Sequence, residues 1–480
     1  MNIPNNFNYT EWLINNTTNL ESIAVIDSNK ETTYRELFDK SKSVASALRA
    51  KGLVREQRIA IVLYDSVDSV CLILGAIYAG MVPVVLDPRS PIKTINYCLK
   101  HSGASVVFVE NEVEGIELEN TIPSSRVYEL YNFDTNCLPA DTHKDEPCVF
   151  IYTSGTTGHP KAVVHSHAMP YIVGQITGKE SLGIISSDKI FATAKLFFSF
   201  GLYGLWNAFG SGASVIVNPK VNMPNVLAGL INQHKPTVMI SVPVIYGMLL
   251  SKEIDNKFRF CQSGGDKLTE AIATKWQEKF GVRLTNSWGT TEMCSAALFN
   301  HNGINLTSLG KTAPGFEIEI RDTNGNLVPT GSIGELFVKA PSAGLMYWHD
   351  KQWSAKTFNE WMPTGDMCSQ DKDGYITFFG RAGDVFKVNG KFFDVTSIEE
   401  SFLAYPGITD AAVVGVQDNN GRTKLSAYIV AEKSVEITDV KTHVLKKHTA
   451  AECPREISIV QQLPRTSTGK IQRYLLKESA

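Results

Sequence analysis

Tyr152-Thr153-Ser154-Gly155-Thr156-Thr157-Gly158-His159-Pro160-Lys161 follows a short apolar run, Cys148-Val149-Phe150-Ile151, that reads as a buried strand. Glycines and hydroxyls alternate through this loop, and a lysine closes it. Backbone N–H groups turned inward beside Ser and Thr hydroxyls suit a polyphosphate. The loop is not of the Walker A type, because His159-Pro160 separate Gly158 from Lys161 and no Gly-Lys-Ser/Thr opens a helix. Taken alone, Gly-Thr-Thr-Gly also fits a plain connector; the ten-residue string is far more specific.

The chain has 480 residues, 43% of them hydrophobic and 20% charged, with a net charge of -3. That length exceeds one core and implies at least two domains. The near-neutral charge leaves no basic footprint for nucleic acid. Eight cysteines, Cys71, Cys98, Cys137, Cys148, Cys261, Cys294, Cys368 and Cys453, are scattered without paired spacing. They argue against a zinc site or a disulfide framework and favour a reducing cytoplasm. The opening Met1-Asn2-Ile3-Pro4-Asn5-Asn6 lacks the pattern of a signal peptide, and no apolar run is long enough for a membrane span.

Helical spacing over 34–52 and 67–80 alternates with strands at Arg58–Leu63, Val82–Asp87 and Val106–Glu110. The pattern continues with strands at Lys189–Ala192, Ala213–Val217, Thr237–Val242, Phe258–Ser263 and Leu284–Trp288. Such alternation predicts α/β layers with largely parallel sheets and ligands beyond the carboxyl ends of the strands. Near Ala340 the texture becomes more antiparallel. A small α+β unit then starts at Arg381, with the boundary placed near Gly380–Asp384. The expected domains are therefore 1–380, made of layered α/β subdomains plus a β-rich segment, and 381–480.

Three further stretches fall at strand ends or in loops. Ser263-Gly264-Gly265-Asp266-Lys267 alone is a turn. In Asn286-Ser287-Trp288-Gly289-Thr290-Thr291-Glu292, Trp288 can stack on a purine and Glu292 can hold Mg²⁺ beside phosphates. Thr364-Gly365-Asp366 alone is again a turn. With the opening loop, this order of motifs resembles the adenylate-forming enzymes: acyl- and aryl-CoA synthetases, peptide-synthetase adenylation domains and luciferases.

The resemblance runs from about residue 10 to the end. It implies that Thr153, Ser154, Gly155, Thr156, Thr157, Gly158 and Lys161 belong to the phosphate loop. Gly264, Gly265, Asp266, Asn286, Ser287, Trp288 and Gly289 would line the nucleotide site. It gives Thr291 the α-phosphate, Glu292 the metal and Asp366 the ribose hydroxyls. Arg381, in Gly380-Arg381-Ala382-Gly383-Asp384, would contact ribose or phosphate. Gly383 is the pivot of a mobile C-terminal domain, where many relatives carry Asp or Lys. Lys387 and Gly390 would line the thiol tunnel. Lys470, in Pro464-Arg465-Thr466-Ser467-Thr468-Gly469-Lys470, matches the catalytic lysine. Its implied role is a point charge between the acid carboxylate and the α-phosphate.

Ala194-Lys195-Leu196-Phe197-Phe198-Ser199-Phe200-Gly201 looks like the aromatic segment of benzoate-CoA ligases, with Phe198 as a gate and Phe200 beside an aryl ring. Ser295 and Ala296 stand where those ligases tend to carry His and Ile, and Gly264 replaces a common Ala. Phe198, Ser199, Phe200, Gly201, Gly264, Gly289, Ser295 and Ala296 then bound an acid pocket roomier than bare benzoate needs. A hydroxylated, aminated or cinnamate-like aryl acid is the expected substrate, with ATP, Mg²⁺ and coenzyme A. A carrier-protein phosphopantetheine is the alternative acceptor. A monomer or homodimer without nucleic-acid or membrane partners is expected.

Overall fold

The computed structural model describes residues 3–28, 30–153, 159–301, 308–382, 386–388, 391–393, 395–417, 423–432, 435–450, 452–465 and 471–478. The phosphate-loop residues Ser154–Gly158, the pivot Gly383, the tunnel residue Gly390 and the lysine Lys470 lie outside them.

The expected α/β layering is present. The first compact unit, 1–317 with 338–362, holds two sheets. In the seven-stranded sheet, Arg58–Val62 is central and pairs in parallel with Val82–Val85 and Ala104–Val109. Val82–Val85 pairs in parallel with Pro147–Thr153, which pairs antiparallel with Lys161–Ser166. Thr153 and Lys161 are register partners.

The nine-stranded sheet runs Lys311–Thr312, Ser295–Asn300, Leu284–Thr290, Phe260–Ser263, Val238–Ser241, Lys189–Ala192, Ser214–Val217, Ile23–Asp27, Lys30–Thr33. Its central pairs are parallel and its outer ones antiparallel. Central strands such as Ser214–Val217 and Val238–Ser241 are buried along their whole length. That is why they read as continuous rather than alternating runs.

Helix Tyr34–Ala50 opens with a capping box of Thr33 and Glu36, and its apolar stripe includes Leu37, Val44 and Leu48. Helix Ser199–Ser211 is different, with every residue from Gly201 to Ser211 buried. It packs on the π-helical turn Val173–Ser181. All eight cysteines are free, and seven of them are buried.

The second unit, 318–337 with 363–480, contains the four-stranded sheet Glu317–Arg321, Gly334–Lys339, Met362–Gln370, Ile376–Arg381, whose last two strands pair antiparallel. A further sheet of Ile408–Gln417, Thr423–Ala431 and Glu456–Ile459 packs against helix Val395–Leu403 around Phe402, Val413 and Ile429. The β-rich segment therefore groups with the C-terminal residues. The reason is that strand pairing joins 318–337 to 363–381, a link invisible to a local reading. A pivot near 381 stays a proposal about motion. The triplet Thr364-Gly365-Asp366, expected as a turn, lies inside strand Met362–Gln370. Gly365 tolerates its φ of +72° there, which lets polar residues enter a strand without ending it.

Candidate active site

Thr291 and Glu292 lie in the turn of the hairpin formed by Leu284–Thr290 and Ser295–Asn300. Gly289 pairs with Ala296, Thr290 with Ser295, and a bulge falls between Trp288 and Gly289. A Cβ on Gly289 would lie 2.0 Å from the Ser295 carbonyl oxygen. The close approach of the two backbones thus explains this glycine. Asn286, Ser287 and Trp288 are buried. Asn286 Nδ2 donates to the Ser308 carbonyl at 3.0 Å, and Ser287 Oγ donates to the Ser263 carbonyl at 3.0 Å while accepting from Gln262 at 2.9 Å.

Three partners beyond the hairpin hold the turn. His165 Nε2 lies 3.0 Å from the Thr291 carbonyl and donates to it. The Gly344 amide donates to the Glu292 carbonyl at 2.7 Å, and the Tyr347 hydroxyl donates to Glu292 Oε1 at 2.8 Å. Burial, followed by the charge of Glu292, pushes the Tyr347 phenol upward, so it remains a donor. Lys161 Nζ sits 4.1 Å above the Trp353 ring and 3.6 Å from Asp350 Oδ2, and Tyr347 lies between this cation and Glu292.

Burial holds the His165 imidazole neutral, with its pKa down at about 4. His167 is likewise driven to about 3 by burial. A folded-state pKa below the ordinary value means that the unfolded chain takes up protons which the folded chain refuses. Stability is therefore full above about pH 6.5 and falls as pH drops towards about 4. His165→Gln should flatten that loss by about 2 kcal/mol between pH 7 and pH 4.5, on the scale of 1.36 kcal/mol per pKa unit. Urea unfolding at the two pH values measures it; an unchanged slope would remove His165 from the acid response.

The aromatic segment meets the same turn. Ser199 Oγ is 3.0 Å from Thr291 Oγ1. Phe200 stacks on Tyr203 at 5.7 Å between centroids. A Cβ on Gly264 would lie 3.3 Å from Phe200 Cζ and 2.8 Å from Ser287 Oγ, so the glycine keeps open the space beside the ring. Phe198 is half-buried and meets Phe197 edge to face at 4.7 Å. Ser295 and Ala296 are buried on the returning strand. Gly265 and Asp266 are exposed beyond strand Phe260–Ser263, and Asp266 accepts from the Lys267 amide at 2.8 Å.

In the second unit, Arg381 Nη1 pairs with Asp366 Oδ1 at 2.7 Å and donates to the Thr364 carbonyl at 2.9 Å. The Gly365 amide donates to Glu335 at 3.0 Å. Lys387 lies on strand Phe386–Val388.

Of the residues expected to share a site, Ser199 meets Thr291 and Phe200 lies beside Gly264, while His165 and Tyr347, which also hold this turn, were not anticipated. For His165 the signal was a histidine within the apolar run Ala162-Val163-Val164-His165, where a polar group must find a partner. Tyr347 carried no local signal.

Among the described residues no group of three or more His, Cys, Asp or Glu is arranged to hold a metal. A lone half-buried carboxylate, Glu292, held in place by a phenol, fits Mg²⁺, which takes one or two carboxylates beside substrate phosphates and water. No helix among the described residues is long and apolar enough to cross a membrane.

The profile of the AMP-binding enzyme family matches residues 14–348, and that of the AMP-binding enzyme C-terminal domain matches 397–470. A 4-hydroxybenzoate–CoA/benzoate–CoA ligase of Rhodopseudomonas palustris is 32% identical over 95% of this chain and 90% of its own length. An anthranilate CoA ligase, AuaEII, solved in complex with anthranoyl-AMP, superimposes with a TM-score of 0.93 at 29% identity, covering 100% of this chain and 98% of the other. A benzoate CoA ligase from Burkholderia xenovorans LB400 superimposes with a TM-score of 0.89 at 31% identity, covering 98% of this chain and 100% of the other.

Proposed function

This chain belongs to the AMP-binding enzyme family, and on that premise we propose that it activates an aromatic carboxylic acid with ATP and passes the acyl group to coenzyme A. In the first step an oxygen of the acid carboxylate attacks the α-phosphorus, and pyrophosphate leaves. In the second the thiol attacks the acyl carbon, and AMP leaves as the thiol proton is lost to solvent. The protein contributes position and charge rather than a covalent nucleophile. Magnesium bound at Glu292 would supply charge neutralisation at the phosphates. By the resemblance, Thr291 would hold the α-phosphate, Lys161 would belong to the phosphate loop, Asp366 would hold the ribose hydroxyls, Arg381 would contact ribose or phosphate, and Lys470 would bridge carboxylate and α-phosphate.

The observation that carries this reading is the hydrogen bond between the Ser199 and Thr291 hydroxyls. It joins the start of the aromatic segment to the threonine assigned to the α-phosphate, which supports one site for ring and reacting carboxylate. The relatives' names, benzoate, hydroxybenzoate and anthranilate ligases, support the same substrate class. Pyrophosphate exchange across benzoate, para-hydroxybenzoate, anthranilate, a cinnamate and octanoate tests it, followed by thioester assays with CoA and with a holo carrier protein. Aryl acids should outcompete octanoate, and CoA should outcompete the carrier. Preference for octanoate would overturn the aryl assignment, and preference for the carrier would overturn the CoA assignment.

The pocket floor gives a sharper test. Ser295→His with Ala296→Ile refills space now held by two small buried side chains. The ratio of kcat/KM for benzoate to that for a para-substituted acid should rise about 10-fold or more, the scale of a methylene that fits or fails. A static ratio would take these positions out of the pocket.

A further inference from the structure

The segment Ala194–Phe200 is fastened by groups for which the two half-reactions have no use. Asp65 lies in the loop after strand Arg58–Val62, only 5% exposed, and its Oδ1 accepts from the Leu196 amide at 3.0 Å. Lys195, 6% exposed, turns the other way: Nζ donates to the carbonyl of Asn218 and, at 2.7 Å, to that of Lys220. Asn222 Nδ2 donates to the Thr193 carbonyl at 2.5 Å, holding the start of the segment. Arg89, itself paired with Asp87, lies 5.4 Å over the Phe197 ring.

The turn that follows is tight. The Phe198 amide donates to the Lys195 carbonyl at 2.9 Å, and the Gly201 amide to the Phe198 carbonyl at 3.0 Å. A Cβ on Gly201 would lie 2.0 Å from the Lys195 carbonyl oxygen. Lys195 therefore holds the chain leaving strand Ser214–Val217 with its side chain and the helix start with its backbone. Burying two charges costs more than an apolar filling would. Both are spent here on backbone groups of one short segment. That segment ends at Phe198 and Ser199, the gate and the hydroxyl on Thr291.

We propose that Asp65 and Lys195 are positioning residues for the acid pocket: gripping the segment from two flanks, they set where Phe198 and Ser199 stand against Thr291. The proposal rests on the reading of this segment as the acid wall. Neither residue touches the acid; each acts through the backbone it holds. Loosening either grip displaces the acid relative to the α-phosphate while leaving the nucleotide contacts in place.

The test is steady-state pyrophosphate exchange, varying the acid at saturating ATP and ATP at saturating acid. Asp65→Leu removes the acceptor at similar volume. It should raise KM for the acid about 10-fold or more, within the losses that small misplacements cause, with KM for ATP within about twofold. Asp65→Asn keeps an acceptor oxygen for the Leu196 amide and should restore the acid KM. Lys195→Met should act like Asp65→Leu. Asn222→Ala, at a half-buried position, should move the acid KM the same way by about threefold.

If Asp65→Leu fails to fold, Lys195→Met and Asn222→Ala carry the test. Acid and ATP KM values rising together, an unchanged acid KM, or no rescue by Asp65→Asn would overturn the proposal. The assays use whichever acid the wild type takes best. A fatty-acid preference then defeats the aryl assignment while the KM split still reports on positioning.

Discussion

Lys470→Ala should lower adenylate formation about 10²- to 10³-fold, the range for removing one preorganised charge-stabilising donor, and leave thioester formation from supplied acyl-adenylate nearly intact. The assignment comes from the sequence, where Lys470 ends the loop Pro464–Lys470, since the lysine lies outside the described residues. In adenylation two anions, carboxylate and α-phosphate, must approach each other. A compact ammonium between them removes the repulsion as it grows. In the second half-reaction the α-phosphate leaves with AMP, and a neutral thiol or thiolate approaches a carbon. The lysine has no partner charge to bridge there. Pyrophosphate exchange measures the first step, and single-turnover reaction of acyl-adenylate with CoA the second. Equal loss in both would show that one domain orientation serves both steps.

Gly289→Ala should be a severely damaging small substitution in the first unit. The added Cβ would sit 2.0 Å from the Ser295 carbonyl oxygen, 2.9 Å from its carbon and 3.0 Å from the Ala296 Cα. All three are backbone atoms of the paired strand, so no rotamer relieves the contact. The hairpin must open at its bulge, moving Thr291 and Glu292 at one end and Trp288 at the other. Adenylation should fall about 100-fold, as for displaced catalytic groups, and overpacking should cost about 3 kcal/mol of stability. Gly229→Ala is the matched control, because nothing lies within 4 Å of a Cβ there. Pyrophosphate exchange and urea unfolding of both variants decide it. A Gly289→Ala protein behaving like its control would mean that the two strands separate without consequence.

Local pattern located what local forces determine. Strand Lys189–Ala192 begins and ends as its sequence pattern predicts, because charged or turn residues bound a compact apolar run. Helix Tyr34–Ala50 was legible from its apolar stripe, while its capping box of Thr33 and Glu36 emerges from the structure. Helix Ser199–Ser211 was not, because burial on all sides erases the polar face that gives a helix its period. Strand Met362–Gln370 was hidden behind Thr364-Gly365-Asp366, whose composition imitates a turn.

The site divides in the same way. Thr291 and Glu292 stood out by residue type, but Tyr347, 55 residues beyond Glu292, joins it only through the fold. The grouping of 318–337 with 363–480 rests on strand pairing between segments far apart in sequence. For Ser154–Gly158, Gly383 and Lys470, the sequence reading stands alone.

The burial of the cysteines bears on the hazard that an activated acid poses to the protein making it. An acyl-adenylate is an electrophile that any thiolate within reach can capture. Cys294 stands two residues beyond Glu292, with its sulfur 3.7 Å from the Ser199 carbonyl. Yet it is buried, and burial pushes its thiol well above the usual range. Cys71 and Cys98 are pushed up to about 12 by the same desolvation, and Cys148, Cys261, Cys368 and Cys453 shift in the same direction. Thiols held protonated in an apolar setting are poor nucleophiles. An acyl group activated near the turn at Glu292 would therefore meet a protonated sulfur, which would reserve thiolysis for the sulfur that arrives from outside.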